Sequence, residues 1–115
     1  MYSKLIVYQK AKLLTLDIYK ISKSFPQDEL YCLTSQIRRA AVSIPLNIAE
    51  GQARKGTKQY LNFLRIAFGS TAEVKVCLEL ALDLGYIDKT KFESTFYLTE
   101  EVSKLLYSFQ KSLSV

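Results

Sequence analysis

The sequence predicts an all-α protein: an up-down-up-down four-helix bundle with a proline-kinked second helix. Three observations carry this. Apolar residues recur at alternating spacings of three and four in four successive stretches, stop signals such as Phe25-Pro26 and Gly85 separate them, and the connections are short. A chain of 115 residues that is 49% apolar fits one domain with a real core, so residues 1–115 read as a single unit.

The first helix is expected over residues 5–24. Val7, Ala11, Leu14, Ile18, Ile21 and Phe25 form a heptad-like seam. Phe25-Pro26 ends it, because the residue before proline disfavours helix, and Asp28 is placed to cap the second helix.

The second helix is expected over residues 29–54, its stripe starting at Leu30 and Leu33. Its centre is QIRRAAVSIPLNIAEG, residues 36–51, in which Ile37, Ala41, Ile44 and Ile48 share one side. Gln36, Arg39, Ser43, Asn47, Glu50 and Arg54 make a polar stripe, with Glu50 and Arg54 an i,i+4 pair in the favourable order. Val42 and Leu46 lie on the back, where a lone surface helix would be polar, so a cover is expected for them. Pro45 removes the hydrogen bond to the Ala41 carbonyl and costs roughly 3 kcal/mol in a regular helix. The stripe stays in phase across it, which reads as one kinked helix; a break at Ser43 is the alternative. Gly51 and Gly56 loosen the end, and Thr57 is placed to cap the third helix.

The third helix is expected over residues 58–84, about 40 Å long. Tyr60, Phe63, Ala67, Ser70, Val74, Cys77, Ala81 and Leu84 form its seam. Gly69, Ala72, Val76 and Leu80 make a second apolar surface roughly opposite, flanked by Leu64, Phe68, Leu78 and Leu82. No helix of a four-helix bundle is fully surrounded, so this surplus, with Val42 and Leu46, predicts oligomer contacts. Gly69 and Ser70 favour close helix approach. Gly85 supplies the stop, Thr90 and Glu93 fit a capping box, and Phe92, Phe96, Val102, Leu106, Phe109 and Leu113 give the fourth helix its apolar side.

The formal charge is +5. Residues 32–66 hold six cations, Arg38, Arg39, Arg54, Lys55, Lys58 and Arg65, against Glu50 alone, so the basic excess lies in helix two, the next turn and early helix three. No uncharged apolar run approaches a membrane span, and the start MYSKLIVYQK lacks a signal peptide's apolar block. A cytoplasmic protein without a membrane partner is expected. Cys32 and Cys77 have no metal-ligand spacing and read as buried free thiols.

QIRRAAVSIPLNIAEG, followed by YLNFLRIAFGSTAEVKVCLELALDLGYI, resembles the four-helix bundle family encoded by intervening sequences within bacterial 23S rRNA genes. The resemblance covers nearly the whole chain, most specifically in RRAAVSIPLNIAEG, FLRIAFGSTAE and LGYI. That family is similar in fold to the accessory protein of diversity-generating retroelements, a basic barrel of five four-helix subunits that binds nucleic acid and a reverse transcriptase. The resemblance therefore implies a homopentamer, no known catalytic activity and no cofactor. By fold-level analogy it also implies RNA or DNA, and a reverse transcriptase or another protein, as partners. Arg38, Arg39, Asn47, Glu50 and Glu73 are the positions carried over.

Two uses of these residues stay open. Arg38, Arg39, Arg54, Lys55, Lys58 and Arg65 could neutralise phosphates, with eight tyrosines as possible stacking surfaces. Alternatively Asn47, Glu50 and Glu73, with Arg39 divided between the two roles, could form a buried polar network that fixes subunit register. Catalysis has the least support. There is no histidine, no phosphate loop and no nucleophile motif, and Glu79 with Asp83 reads as a solvated face.

Overall fold

The apolar seams converge on one core. The structure is a computed structural model that describes residues 5–114. Its four helices are α1 (Ile6–Ser22), α2 (Ser35–Ala53), α3 (Thr57–Asp83) and α4 (Lys89–Leu113). α1 and α3 each pack against both α2 and α4, which makes a four-helix bundle 43 Å long and 24 by 20 Å across. Leu14, Ile18, Ile37, Ile44, Ile48 and Leu78 are fully buried. Each such side chain contributes about 1.5–3 kcal/mol relative to exposure. Among the described residues no helix is long and apolar enough to cross a membrane.

The first seam is buried throughout, Val7 to Phe25. α2 starts at Ser35, six residues later than expected. Residues 27–34 instead form a tight turn at Gln27–Glu29 and a wide, π-type turn at Leu30–Thr34. The cap is Glu29 rather than Asp28: its carboxylate accepts from the Leu33 N–H at 3.3 Å and from the Tyr86 hydroxyl at 2.7 Å. Tyr86 comes from the α3–α4 connection, 57 residues on in the sequence, so the local pattern could not reveal this bond. That bond, with burial and the Glu29 and Asp28 charges, raises the Tyr86 pKa above 10.0. The wide turn leaves Leu30 and Cys32 exposed, so of the two thiols only Cys77 is buried. Burial, then the Glu73 charge, raises the Cys77 pKa.

Two more caps differ from expectation. Gly56, not Thr57, precedes α3, because its carbonyl takes the Tyr60 N–H at 3.0 Å and makes Thr57 the first helical residue. Asp88, not Thr90, caps α4, its extended backbone aiming the carboxylate at the Lys91 N–H, 2.8 Å away. Gly85 does close α3. It has φ +79°, the Tyr86 N–H reaches the Ala81 carbonyl at 2.8 Å, and the Gly85 N–H reaches Leu82 at 3.0 Å. Leu84 lies beyond the end of α3 and is exposed rather than core. In α4 the threonines Thr95 and Thr99 are buried beside the expected apolar residues. Thr95 donates to the Asp17 carboxylate of α1 at 2.6 Å, and Thr99 donates to the Thr95 carbonyl at 2.8 Å.

α2 continues as one helix across Pro45, without a break at Ser43. The Ala41 carbonyl that Pro45 deprives of a donor lies in a fully buried residue. It receives the Thr15 hydroxyl of α1 at 3.1 Å, and the same hydroxyl lies 2.9 Å from the Ala11 carbonyl. Near its C-terminal end α2 touches α3 through Gly51. A Cβ there would stand 2.8 Å from Tyr60 Cδ1 and 2.9 Å from Phe63 Cβ, so the helices meet this closely only because the residue is glycine.

Unfolding measurements check both contacts. Thr15→Val leaves the Ala41 carbonyl unpaired and should lower unfolding free energy in urea by about 1–3 kcal/mol. In a Pro45→Ala background, where the helix supplies its own donor, the loss should shrink. Gly51→Ala should destabilise by about 1–3 kcal/mol through overpacking, reversing the roughly 1 kcal/mol gain that alanine brings to an unconstrained helix.

Candidate nucleic-acid interface

The six cations do not form one cluster. Arg38 is half-buried between helices: its Nε donates to the buried Ser22 Oγ at 2.8 Å, and its guanidinium lies 4.9 Å from the Tyr19 ring centroid. Its charge ties α2 to α1, which leaves little of it for a phosphate. Arg54 accompanies Glu50 at 3.2 Å and sits 5.1 Å from the Phe63 ring centroid. Lys55 and Lys58 are exposed beside it, in and just after the α2–α3 turn. Arg65 is exposed about two turns along α3, bonded to Asn62 at 3.2 Å.

Arg39 stands apart from that turn, exposed midway along the bundle. It forms the rim between two clefts. One, of about 500 Å³, is lined by Tyr19, Leu30, Val42 and Leu46; the other, of about 770 Å³, runs past Tyr31, Glu73, Val76 and Leu80. The surroundings of Arg39 are therefore largely apolar, whereas those of Lys55 and Lys58 are open solvent.

The polar residues read as a register network make three separate contacts within one chain. Asn47 donates to the Ser43 carbonyl at 2.7 Å and to its hydroxyl at 2.9 Å, and Ser43 is in turn 2.9 Å from the Ser70 hydroxyl of α3. Glu73 accepts from Gln36 at 3.0 Å on the surface. Glu50 holds only its exposed partner Arg54. Only the Asn47 group lies within a helix–helix seam. The other two are surface pairs, worth at most about 1 kcal/mol each.

Most of the surplus apolar residues are outside, as expected: Leu46 is 56% and Val76 53% exposed, with Val42, Phe68 and Leu80 also open to solvent, whereas Leu64 and Leu78, expected to flank that surface, are fully buried in the core. Gly69 and Ala72 are exposed on α3, and no atom lies within 4 Å of where a Gly69 Cβ would be. Two contributors were not foreseen. Tyr31 is 89% exposed because the wide turn carries it outward, and α1 presents Leu13 and Leu16. Leu13 and Leu16 fall off the α1 seam in the sequence, a signal that was there to be read. Nothing local announces the wide turn.

As a chemical surface this offers cations and apolar flanks. Glu79 and Asp83 are both exposed, and among the described residues no group of three or more histidines, cysteines or carboxylates is placed to hold a metal ion.

Comparison with known proteins agrees with this architecture. No protein of curated function matches the chain. A solved structure of a protein of unknown function, from the S23 ribosomal protein family of Bacteroides thetaiotaomicron, superposes with a TM-score of 0.86 at 28% identity, covering 92% of this chain and 99% of that one. The model of the 23S rRNA-intervening sequence proteins matches residues 3–108. The chain, a four-helix bundle matched over almost its whole length, therefore belongs to the 23S rRNA-intervening sequence protein family.

Proposed function

We propose that this chain is a non-enzymatic, cytoplasmic homo-oligomer that binds RNA or other nucleic acid through its basic surface. The observation that carries the reading is the pairing of exposed cations with uncovered apolar flanks. Among the described residues Lys55, Lys58 and Arg65 make no ion pair, while the α2 and α3 flanks leave Val42, Leu46, Val76 and Leu80 in water. Phosphates would satisfy the cations and neighbouring subunits would cover the flanks.

The flanks are two different surfaces on adjacent helices. A contact in which the α2 flank of one copy meets the α3 flank of the next is head-to-tail, and such contacts form a ring where the rotation between copies closes. The family resemblance supplies the subunit number, five. Asn47 lies within the α2–α3 seam, and Glu50 and Glu73, each held only by a surface partner, are free to complete contacts across that junction. A second reading is a scaffold that recruits a partner enzyme, such as a reverse transcriptase. The exposed Tyr31, with Leu30 and Leu84 nearby, favours it.

Light scattering after size exclusion tests assembly. The wild-type chain should be an oligomer, and Leu46→Glu or Val76→Glu should reduce it to a monomer that keeps its helical circular-dichroism spectrum. A monomeric wild type contradicts the assembly. The ultraviolet absorbance ratio of the same peak should fall after nuclease or high salt. A partner protein recovered irrespective of nuclease treatment would favour the scaffold instead.

A further inference from the structure

We infer that nucleic-acid phosphates are bound at one end of the bundle, the end where the α2–α3 turn meets the start of α1 and the close of α4, and not along the Arg39 face. This rests on the nucleic-acid reading and says where the contact is made.

The topology brings distant parts of the sequence to that end. α1 and α3 begin there, while α2 and α4 finish there. Side-chain contacts confirm the juxtaposition: Tyr60 at the start of α3 packs edge-on against Phe109 near the close of α4 at 5.4 Å, and Gly51 of α2 abuts Tyr60. The basic turn of Lys55 and Lys58 is thereby joined by Arg65 from α3 and Lys111 from the last turn of α4. All four are exposed. The acidic residues of that half are few: Glu50 is answered by Arg54 at 3.2 Å, and near the waist Glu101 is answered by Lys10 at 3.3 Å beside Glu100.

The opposite end is only weakly acidic. The α3–α4 connection and its flanking turns carry Glu79, Asp83, Asp88 and Glu93, and the α1–α2 connection carries Asp28 and Glu29, against Lys20, Lys23, Lys89 and Lys91. The rod is 43 Å long, whereas exposed charges are screened beyond roughly 8–10 Å at physiological salt. The acidic end therefore does not cancel the field of the basic one. A polyanion approaching the molecule meets attraction at one end and none to match it at the other, which orients it before contact. The Arg39 rim lacks this support: the clefts beside it are mainly apolar, the neighbouring Arg38 is tied to Ser22, and Glu73 lines one cleft.

The test is fluorescence anisotropy with a labelled single-stranded RNA and the matching RNA and DNA duplexes, titrated over a range of salt. Lys55→Gln/Lys58→Gln/Lys111→Gln should weaken binding by about tenfold or more at low salt. It should also make the slope of log affinity against log salt shallower by about two to three. Lys20→Gln/Lys89→Gln/Lys91→Gln at the opposite end should leave both unchanged, and so should Arg39→Glu. A thermal melt of each variant separates lost folding from lost contacts. Equal losses from both lysine triples, or a loss confined to Arg39→Glu, would overturn this placement while leaving nucleic-acid binding intact. A wild-type chain that binds none of the probes at low salt would overturn the nucleic-acid reading itself, and this placement with it.

Discussion

The structure depends on carrying α2 through Pro45 as a single helix. Proline withdraws the donor that the Ala41 carbonyl needs, and Ala41 is wholly buried, so water cannot replace it. The replacement is the Thr15 hydroxyl, delivered from α1 at 3.1 Å. This couples two helices at the level of the backbone and keeps Ile44 and Ile48 on one face across the proline. Had the helix broken at Ser43, the segment bearing Gly51 would have been free of α3, and the turn holding Lys55 and Lys58 would not be fixed to the end of the bundle. The close contact of Gly51 with Tyr60 and Phe63 is the second clamp on the same segment.

With α2 fixed, the outer surface divides by physical character. The flanks of α2 and α3 are apolar and sit along the sides, while the turn between those helices is basic and sits at the tip. These surfaces suit different partners. Apolar flanks favour contacts that exclude water, whereas exposed lysines favour a polyanion whose condensed counterions are released on binding. Because the surfaces do not overlap, covering the sides need not block the tip, and any ring built through the sides would repeat the tip around it.

Much of this was legible from spacing. The seams of α1, α2 and α3 and the glycine stop at Gly85 follow from short-range sterics and periodicity, and the structure reproduces them except at Leu30 and Leu84, which lie beyond the helix ends and are exposed. The uncovered Val42, Leu46, Val76 and Leu80 were visible for the same reason, as apolar residues out of phase with the core. Several of the misses share a cause: a partner far away in sequence. Glu29 displaces Asp28 as a cap because Tyr86 reaches it from the α3–α4 connection. Arg38 looked like the twin of Arg39, yet a one-residue step around α2 turns it toward Ser22 and Tyr19. Lys111 carried no signal of its own, since only the fold brings it to the basic turn.

The central claim is that one assembly both self-associates through its sides and holds nucleic acid by charge. Native mass spectrometry of the purified chain mixed with a short single-stranded RNA, recorded at rising ammonium acetate concentration, reads both properties in one spectrum. The account predicts an oligomer, five subunits by the family resemblance, that carries RNA at low ionic strength and sheds it as salt rises while the subunits stay together. A monomer free of RNA at the lowest ionic strength would contradict it.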